Sequence, residues 1–169
     1  MARPTLALLA ALILTACGTA KPGGMSGPSM KSRLSEPAPG TRSEVVSWDI
    51  LDREPLANTA EVKHILIGWK DLAEAYGGRI NPRAAARTKA DAEVEVKALL
   101  AQLAGGADFD TVMREHSEDE GSAATNRPYT VTPDAQLVIE FRQLGLRLKT
   151  GELGVIQSDY GFHIIKRLK

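Results

Sequence analysis

Val62-Lys63-His64-Ile65-Leu66-Ile67 is the run on which the fold turns. A short stretch rich in β-branched residues suits one strand and is too brief for a helix. A second run of the same kind, Phe162 to Leu168, reads as another strand. Leu153 to Gln157 reads as a third, joined to it by a turn at Ser158-Asp159-Tyr160-Gly161. His64 and His163 each sit among aliphatic neighbours, where an imidazole is costly unless its ring nitrogens find partners. A single such residue is usually a satisfied core group. Two of them, in two strands of one small sheet, predict that they satisfy each other and share a site.

The helical signals lie between these strands. Thr88-Lys89-Ala90-Asp91 has the form of a capping box. Ala92, Val96, Leu99 and Leu103 follow on one helical face, and Gly105-Gly106 ends the pattern. Asp108 caps a shorter helix with Phe109, Val112 and Met113 on one side. Thr132-Pro133 predicts a third helix, with Leu137, Phe141, Leu144 and Leu148 as its apolar stripe. The stretch 71–86 holds Gly77-Gly78 and Asn81-Pro82 and reads as a loop, and a further strand is expected near Tyr129. The order of elements predicts an α+β domain, a small sheet with helices packed on it.

Composition sets outer limits. With 169 residues, 43% hydrophobic and 25% charged, the chain has room for one ordinary globular domain and a tail. Its 21 basic and 21 acidic side chains balance, and aromatics make up 5%. Both facts argue against a nucleic-acid partner, which calls for a basic surface and stacking rings. A single cysteine excludes an internal disulfide and any multi-cysteine metal site.

That cysteine ends a different kind of segment. Arg3 precedes an almost wholly apolar run from Thr5 to Leu14, the plan of a secretory signal too short to span a bilayer as a mature helix. Leu14-Thr15-Ala16-Cys17-Gly18 then resembles the bacterial lipobox. The resemblance implies cleavage before Cys17 and acylation of that residue. The expected division is therefore a lipoprotein signal peptide over 1–16, a lipidated tether over 17–58 and a folded domain over 59–169. The tether reading rests on the Gly, Pro, Ser, Lys and Thr that dominate from Gly18 to about Arg42. Val45 to Trp48 is expected to form a short strand or a docking segment. The anchor places the protein in the bacterial cell envelope. Gly18, where an aspartate would signal inner-membrane retention, points to the outer membrane.

From Glu61 onward the chain resembles the parvulin-type peptidyl-prolyl cis–trans isomerases. The matching pieces are Val62-Lys63-His64-Ile65-Leu66, Arg87-Thr88-Lys89, Ala107-Asp108-Phe109, Ser117-Glu118-Asp119 and Gly121-Ser122-Ala123. They continue with Glu140-Phe141, Leu148-Lys149-Thr150-Gly151-Glu152 and Tyr160-Gly161-Phe162-His163-Ile164-Ile165-Lys166. The resemblance implies a roughly four-stranded, mostly antiparallel sheet flanked by helices, and an activity that requires no cofactor or metal. It places His64 and His163 as the dyad on the active-site floor, Asp119 at the family's central acidic position and Ser158 as the hydroxyl of the last turn. Leu137 and Phe141 fall at the proline pocket, and Tyr129 takes the place of the family's pocket leucine.

Those residue types suit the reaction. Rotation about the bond before proline faces a barrier of about 18–20 kcal/mol and takes tens to hundreds of seconds unaided. No covalent bond is made or broken. A thousandfold acceleration therefore asks for only about 4 kcal/mol of preferential stabilisation of the twisted amide. The implied partners are proline-containing segments of exported or outer-membrane proteins, with the membrane reached through the lipid anchor. One departure favours a second reading, a binding module without catalysis. Asn126-Arg127-Pro128-Tyr129-Thr130-Val131 contains no glycine where the family carries a glycine-rich segment. A third reading, metal binding by His116 with Glu115, Glu118 and Glu120, competes with the ordinary one of a solvated charge run. The basic residues Lys70, Arg79, Arg83 and Arg87 after the first strand are expected to be solvated or to steer substrate.

Overall fold

A computed structural model describes residues 42–169. The expected signal peptide, Cys17 and most of the tether lie outside these residues. Four strands, β1 (Ala60–Ile67), β2 (Tyr129–Val131), β3 (Leu153–Ser158) and β4 (Gly161–Arg167), form one antiparallel sheet in the order β2-β1-β4-β3. The fold is α+β, as the strand and helix signals predict.

The register decides what each face presents. Leu66 lies opposite His163 and His64 opposite Ile165, so both histidines share a face and sit diagonal to one another. Val62 lies opposite Tyr129, and Ile156 opposite His163. Tyr129 and Ser158 therefore join the same face, each one step along from a histidine. A slip of one residue between β1 and β4 would send one imidazole to the other side. Gly161 secures the tight β3–β4 turn: its φ is 136°, and a Cβ there would fall 2.5 Å from the Ile67 carbonyl oxygen.

Helix α3 (Lys89–Ala104) opens on the expected capping box, with Thr88 and Asp91 satisfying each other's backbone N–H, and buries Ala92, Val96, Leu99 and Leu103. Helix α4 (Phe109–His116) is capped by Asp108 and buries Phe109, Val112 and Met113. Two short helices between β1 and β2 lie outside the helical signals of the sequence. One-turn α2 (Pro82–Ala85) starts at Asn81, and α5 (Glu120–Thr125) starts at Asp119. Helix α6 (Ile139–Gly145) covers the histidine face, where a Cβ on Gly154 would meet Leu144 and Leu148 at 3.1 Å.

Two expectations need correction. The third helix starts at Ile139, not at Thr132-Pro133. Thr132 donates its hydroxyl to Asp134 at 2.6 Å, and 132–138 is held by turns. Local bonding of that kind competes with helix capping. The folded unit also reaches back beyond residue 59. Val45, Val46, Ile50 and Leu51 are buried, the last two on α1 (Trp48–Leu51). Ser47 caps the outer edge of β3, exchanging 2.9 Å hydrogen bonds with Val155 through its backbone N–H and its hydroxyl. Of the two forms expected for Val45 to Trp48, a short strand or a docking segment, the structure has the second. Among the described residues, no helix is long and apolar enough to cross a membrane.

Candidate active site

A cavity of about 440 Å³ opens on the histidine face, between α5, β2, the 132–138 turns and the β3–β4 turn. His64, Asp119, Tyr129, Leu137, Phe141 and His163 all line it. The sequence-predicted residues are brought together.

Its floor is a continuous chain of hydrogen bonds. Nδ1 of His64 lies 3.1 Å from Nδ1 of His163. Nε2 of His163 lies 2.7 Å from the Ser158 hydroxyl, which accepts from the Tyr160 N–H at 3.1 Å. At the other end, Nε2 of His64 lies 2.9 Å from Oδ2 of Asp119. Asp119 takes a second donor at the same oxygen, the Tyr129 hydroxyl at 2.9 Å, while Oδ1 accepts from the Ser122 N–H at 3.2 Å. Asp119 thus caps α5 and anchors the dyad with the same carboxylate.

Electrostatics orders the protons along this chain. The hydrogen bond from His64, aided by Ser122, holds the Asp119 carboxyl well below the usual carboxylate range despite partial burial. An ionised carboxylate can only accept, so His64 carries a proton on Nε2 and donates it to Asp119. His163 bridges His64 at Nδ1 and Ser158 at Nε2, and a neutral ring donates at one of these and accepts at the other. Burial, with His64 alongside, pushes His163 down from 6.5 to about 3, which keeps it neutral at pH 7.

The walls are apolar and aromatic. Phe141 stands edge-on to His64 at 5.1 Å and to His163 at 5.5 Å, and Tyr129 is edge-on to His64 at 5.4 Å. Leu137 lines the cavity from the turns before α6, although it lies outside the helix. Tyr76 closes one end. Its hydroxyl donates to the Tyr160 carbonyl at 2.6 Å, and burial together with Glu118 and Asp119 pushes it up to about 12.

Ser117 and Ser122 carry no role in the sequence reading, and Glu118 carries one only in the metal-binding reading. Ser117 accepts the Leu66 N–H at 3.1 Å and ties the Asp119 segment to β1. Glu118 accepts the Gly68 N–H at 2.7 Å and pairs with Arg87 at 2.7 Å. Asp119 three residues before Ser122 has N-cap spacing, the one signal that could have marked this turn. The glycine-free segment is accommodated. Asn126 adopts the left-handed conformation at φ 53°, and Tyr129 lines the cavity without filling it.

Of the four loop cations, Lys70, Arg79 and Arg83 are exposed and Arg87 is half-buried. Arg83 donates to the carbonyls of Glu115 and Ser117, and Arg87 bridges Glu95 and Glu118. The acidic run does not gather around His116, since Glu118 faces Gly68 and Glu120 faces Asn81. Among the described residues, no group of three or more His, Cys, Asp or Glu side chains is placed to hold a metal ion.

The family model of the PPIC-type PPIase domain matches residues 49–169. The chain belongs to this family of peptidyl-prolyl isomerases. Foldase protein PrsA of Geobacillus kaustophilus is 31% identical to this PPIC-type chain over 124 residues, 73% of this chain and 44% of PrsA. Chaperone SurA of Chromohalobacter salexigens is 30% identical over 106 residues, 62% of this chain and 21% of SurA. The PPIC-type chain therefore spans less than half the length of these curated relatives. The solution structure of TbPIN1 superposes with a TM-score of 0.57 at 22% identity, covering 68% of this chain and 100% of that one. At that identity the likeness supports the fold alone.

Proposed function

We propose that this protein catalyses cis–trans isomerisation of prolyl bonds and acts as a lipid-anchored foldase for exported proteins in the bacterial cell envelope, on the outer-membrane side. The observation that carries the proposal is the bonded His64–His163 pair at the floor of a cavity walled by Phe141, Tyr129 and Leu137. The apolar walls grip the proline ring and exclude water from the preceding amide, which weakens the solvation that favours its planar form. The dyad and Asp119 set a fixed polar field beneath the twisting bond, costing no reorganisation as the amide rotates. His64, His163, Asp119 and Ser158 carry this polar role; Leu137, Phe141 and Tyr129 hold the ring. The names of the PrsA and SurA relatives, a foldase and a chaperone, fit polypeptide clients.

Exchange spectroscopy on a short Ala-Pro peptide with the full chain in detergent tests the activity. Catalysed exchange well above the buffer rate is expected. Peptide binding with exchange at the uncatalysed rate would replace the isomerase with a holding module. The anchor is tested separately: labelled fatty acid should appear on the wild-type protein and be lost in Cys17→Ala. Wild type without label would remove the anchor and leave the isomerase reading intact.

A further inference from the structure

The position that the family resemblance gives to a pocket leucine is here a tyrosine, and its hydroxyl does something a leucine cannot. The Tyr129 oxygen lies 2.9 Å from Oδ2 of Asp119, the same atom to which His64 Nε2 donates. Oδ1 is already held by the Ser122 N–H at the start of α5. The carboxylate is thus clamped from both sides, one oxygen by a helix cap and the other by Tyr129 and His64. Its side chain is 27% exposed, so water can reach it from the cavity mouth. Without the hydroxyl, Oδ2 would lose one of the two donors that hold it. The carboxylate would then be free to turn toward solvent.

We propose that Tyr129 is a positioning residue for isomerisation, acting through Asp119 to hold the His64–His163 pair in one hydrogen-bonded arrangement. Tyr129 is carried by β2 and Ser158 by β3, so the two outer strands hold the two ends of a chain whose middle lies on the central pair. At one end the Tyr160 N–H can only donate, and at the other the ionised Asp119 can only accept. Between these ends, Asp119 holds a proton on Nε2 of His64, and the bond between the two Nδ1 atoms couples His163 to that ring. Fixing Asp119 fixes His64, and fixing His64 fixes His163. The aromatic ring of Tyr129 serves the substrate wall, while its hydroxyl serves this order.

The proposal rests on the isomerase reading for its kinetic consequence, and on geometry alone for its spectroscopic one. Tyr129→Phe keeps the ring and removes the hydroxyl. In the full chain, kcat should fall about fivefold to tenfold, as loss of a hydrogen bond to a charged group allows, with KM changed less than about twofold. In an Asp119→Asn background the same substitution should change kcat less than about twofold, because the group it acts through is gone. Nitrogen-15 spectra of the imidazoles should show one protonation pattern for the His64–His163 pair in wild type and averaged ring-nitrogen shifts in Tyr129→Phe. An unchanged imidazole spectrum overturns the proposal, as does an equal loss of kcat in the Asp119→Asn background. Should wild type show no catalysed exchange, the isomerase reading fails and the imidazole spectra still decide the role of Tyr129. The wild-type pattern can be read without any variant, so averaged ring-nitrogen shifts there overturn the proposal even if Tyr129→Phe does not fold.

Discussion

On the floor of the cavity, His64 and His163 are carried by β1 and β4, the two central strands, and both are buried. On the rim, Asp119, Tyr129 and Leu137 are carried by a helix cap, a three-residue edge strand and a run of turns, and all are partly exposed. The floor is fixed by strand register, in which a one-residue error would disrupt the whole face. The rim is fixed by individual hydrogen bonds, each worth about 1 kcal/mol. Substitutions on the floor and in the packing above it should therefore cost folding as well as function. Those on the rim should alter function at small cost to the fold.

Phe141→Ala should have the largest effect. The ring is 4% exposed and lies across both imidazoles, so it belongs to the core and the cavity together. Truncating a buried phenylalanine typically costs about 3–5 kcal/mol, and the open side of the cavity places this one near the lower figure. Chemical denaturation measures that loss, and titration with a proline peptide should show no binding. Retained binding would mean that the ring packs the core without forming the socket.

Acid should separate floor from rim next. His163 titrates at 6.5 in an unfolded chain and at about 3 when folded. Between those values the unfolded chain holds more protons, so stability is complete above about pH 6.5 and declines as the pH falls toward 3. Asp119 also resists protonation when folded, but its contribution starts to fade only as the pH drops below the ordinary carboxylate value of 3.8. Urea midpoints measured from pH 7 to pH 4 should fall in wild type, by at most about 1.4 kcal/mol per pH unit for this one proton. His163→Gln should flatten that decline, whereas Asp119→Asn should leave it in place above pH 4. An equal slope in wild type and His163→Gln would show that the buried ring does not govern acid sensitivity.

The same division explains what could be read in the sequence. His64 and His163 were legible because a polar ring inside an aliphatic strand is costly, and period-two alternation fixes its face. The capping box at Thr88 and the apolar stripe of α3 were legible because both are local. The start of α6 was misplaced because Thr132-Pro133 is as good a turn as it is a cap, and only the surrounding structure chooses between them. Val45 to Trp48 was legible as a short strand or a docking segment, but the choice between them depends on an open edge of β3, which no local pattern announces. Tyr129 was placed at the pocket, but its bond to Asp119 joins two segments whose spacing is set by the left-handed turn at Asn126.

That turn gives the smallest and sharpest test. Asn126 has φ 53°, a conformation glycine adopts freely and asparagine tolerates, and it closes α5 just before the chain enters β2. Its side-chain amide donates to Asp110 at 3.0 Å, and Asp110 in turn holds Lys63 of β1. Asn126→Gly should relieve the backbone and lose that one bond, two effects of opposite sign and each below about 1 kcal/mol. A denaturation midpoint close to wild type is expected, with exchange activity retained. Asn126→Val keeps neither the amide nor the tolerance of positive φ, and should cost about 1–3 kcal/mol. If glycine proved as damaging as valine, the Asp110 bond rather than backbone conformation would be what holds the rim to the floor.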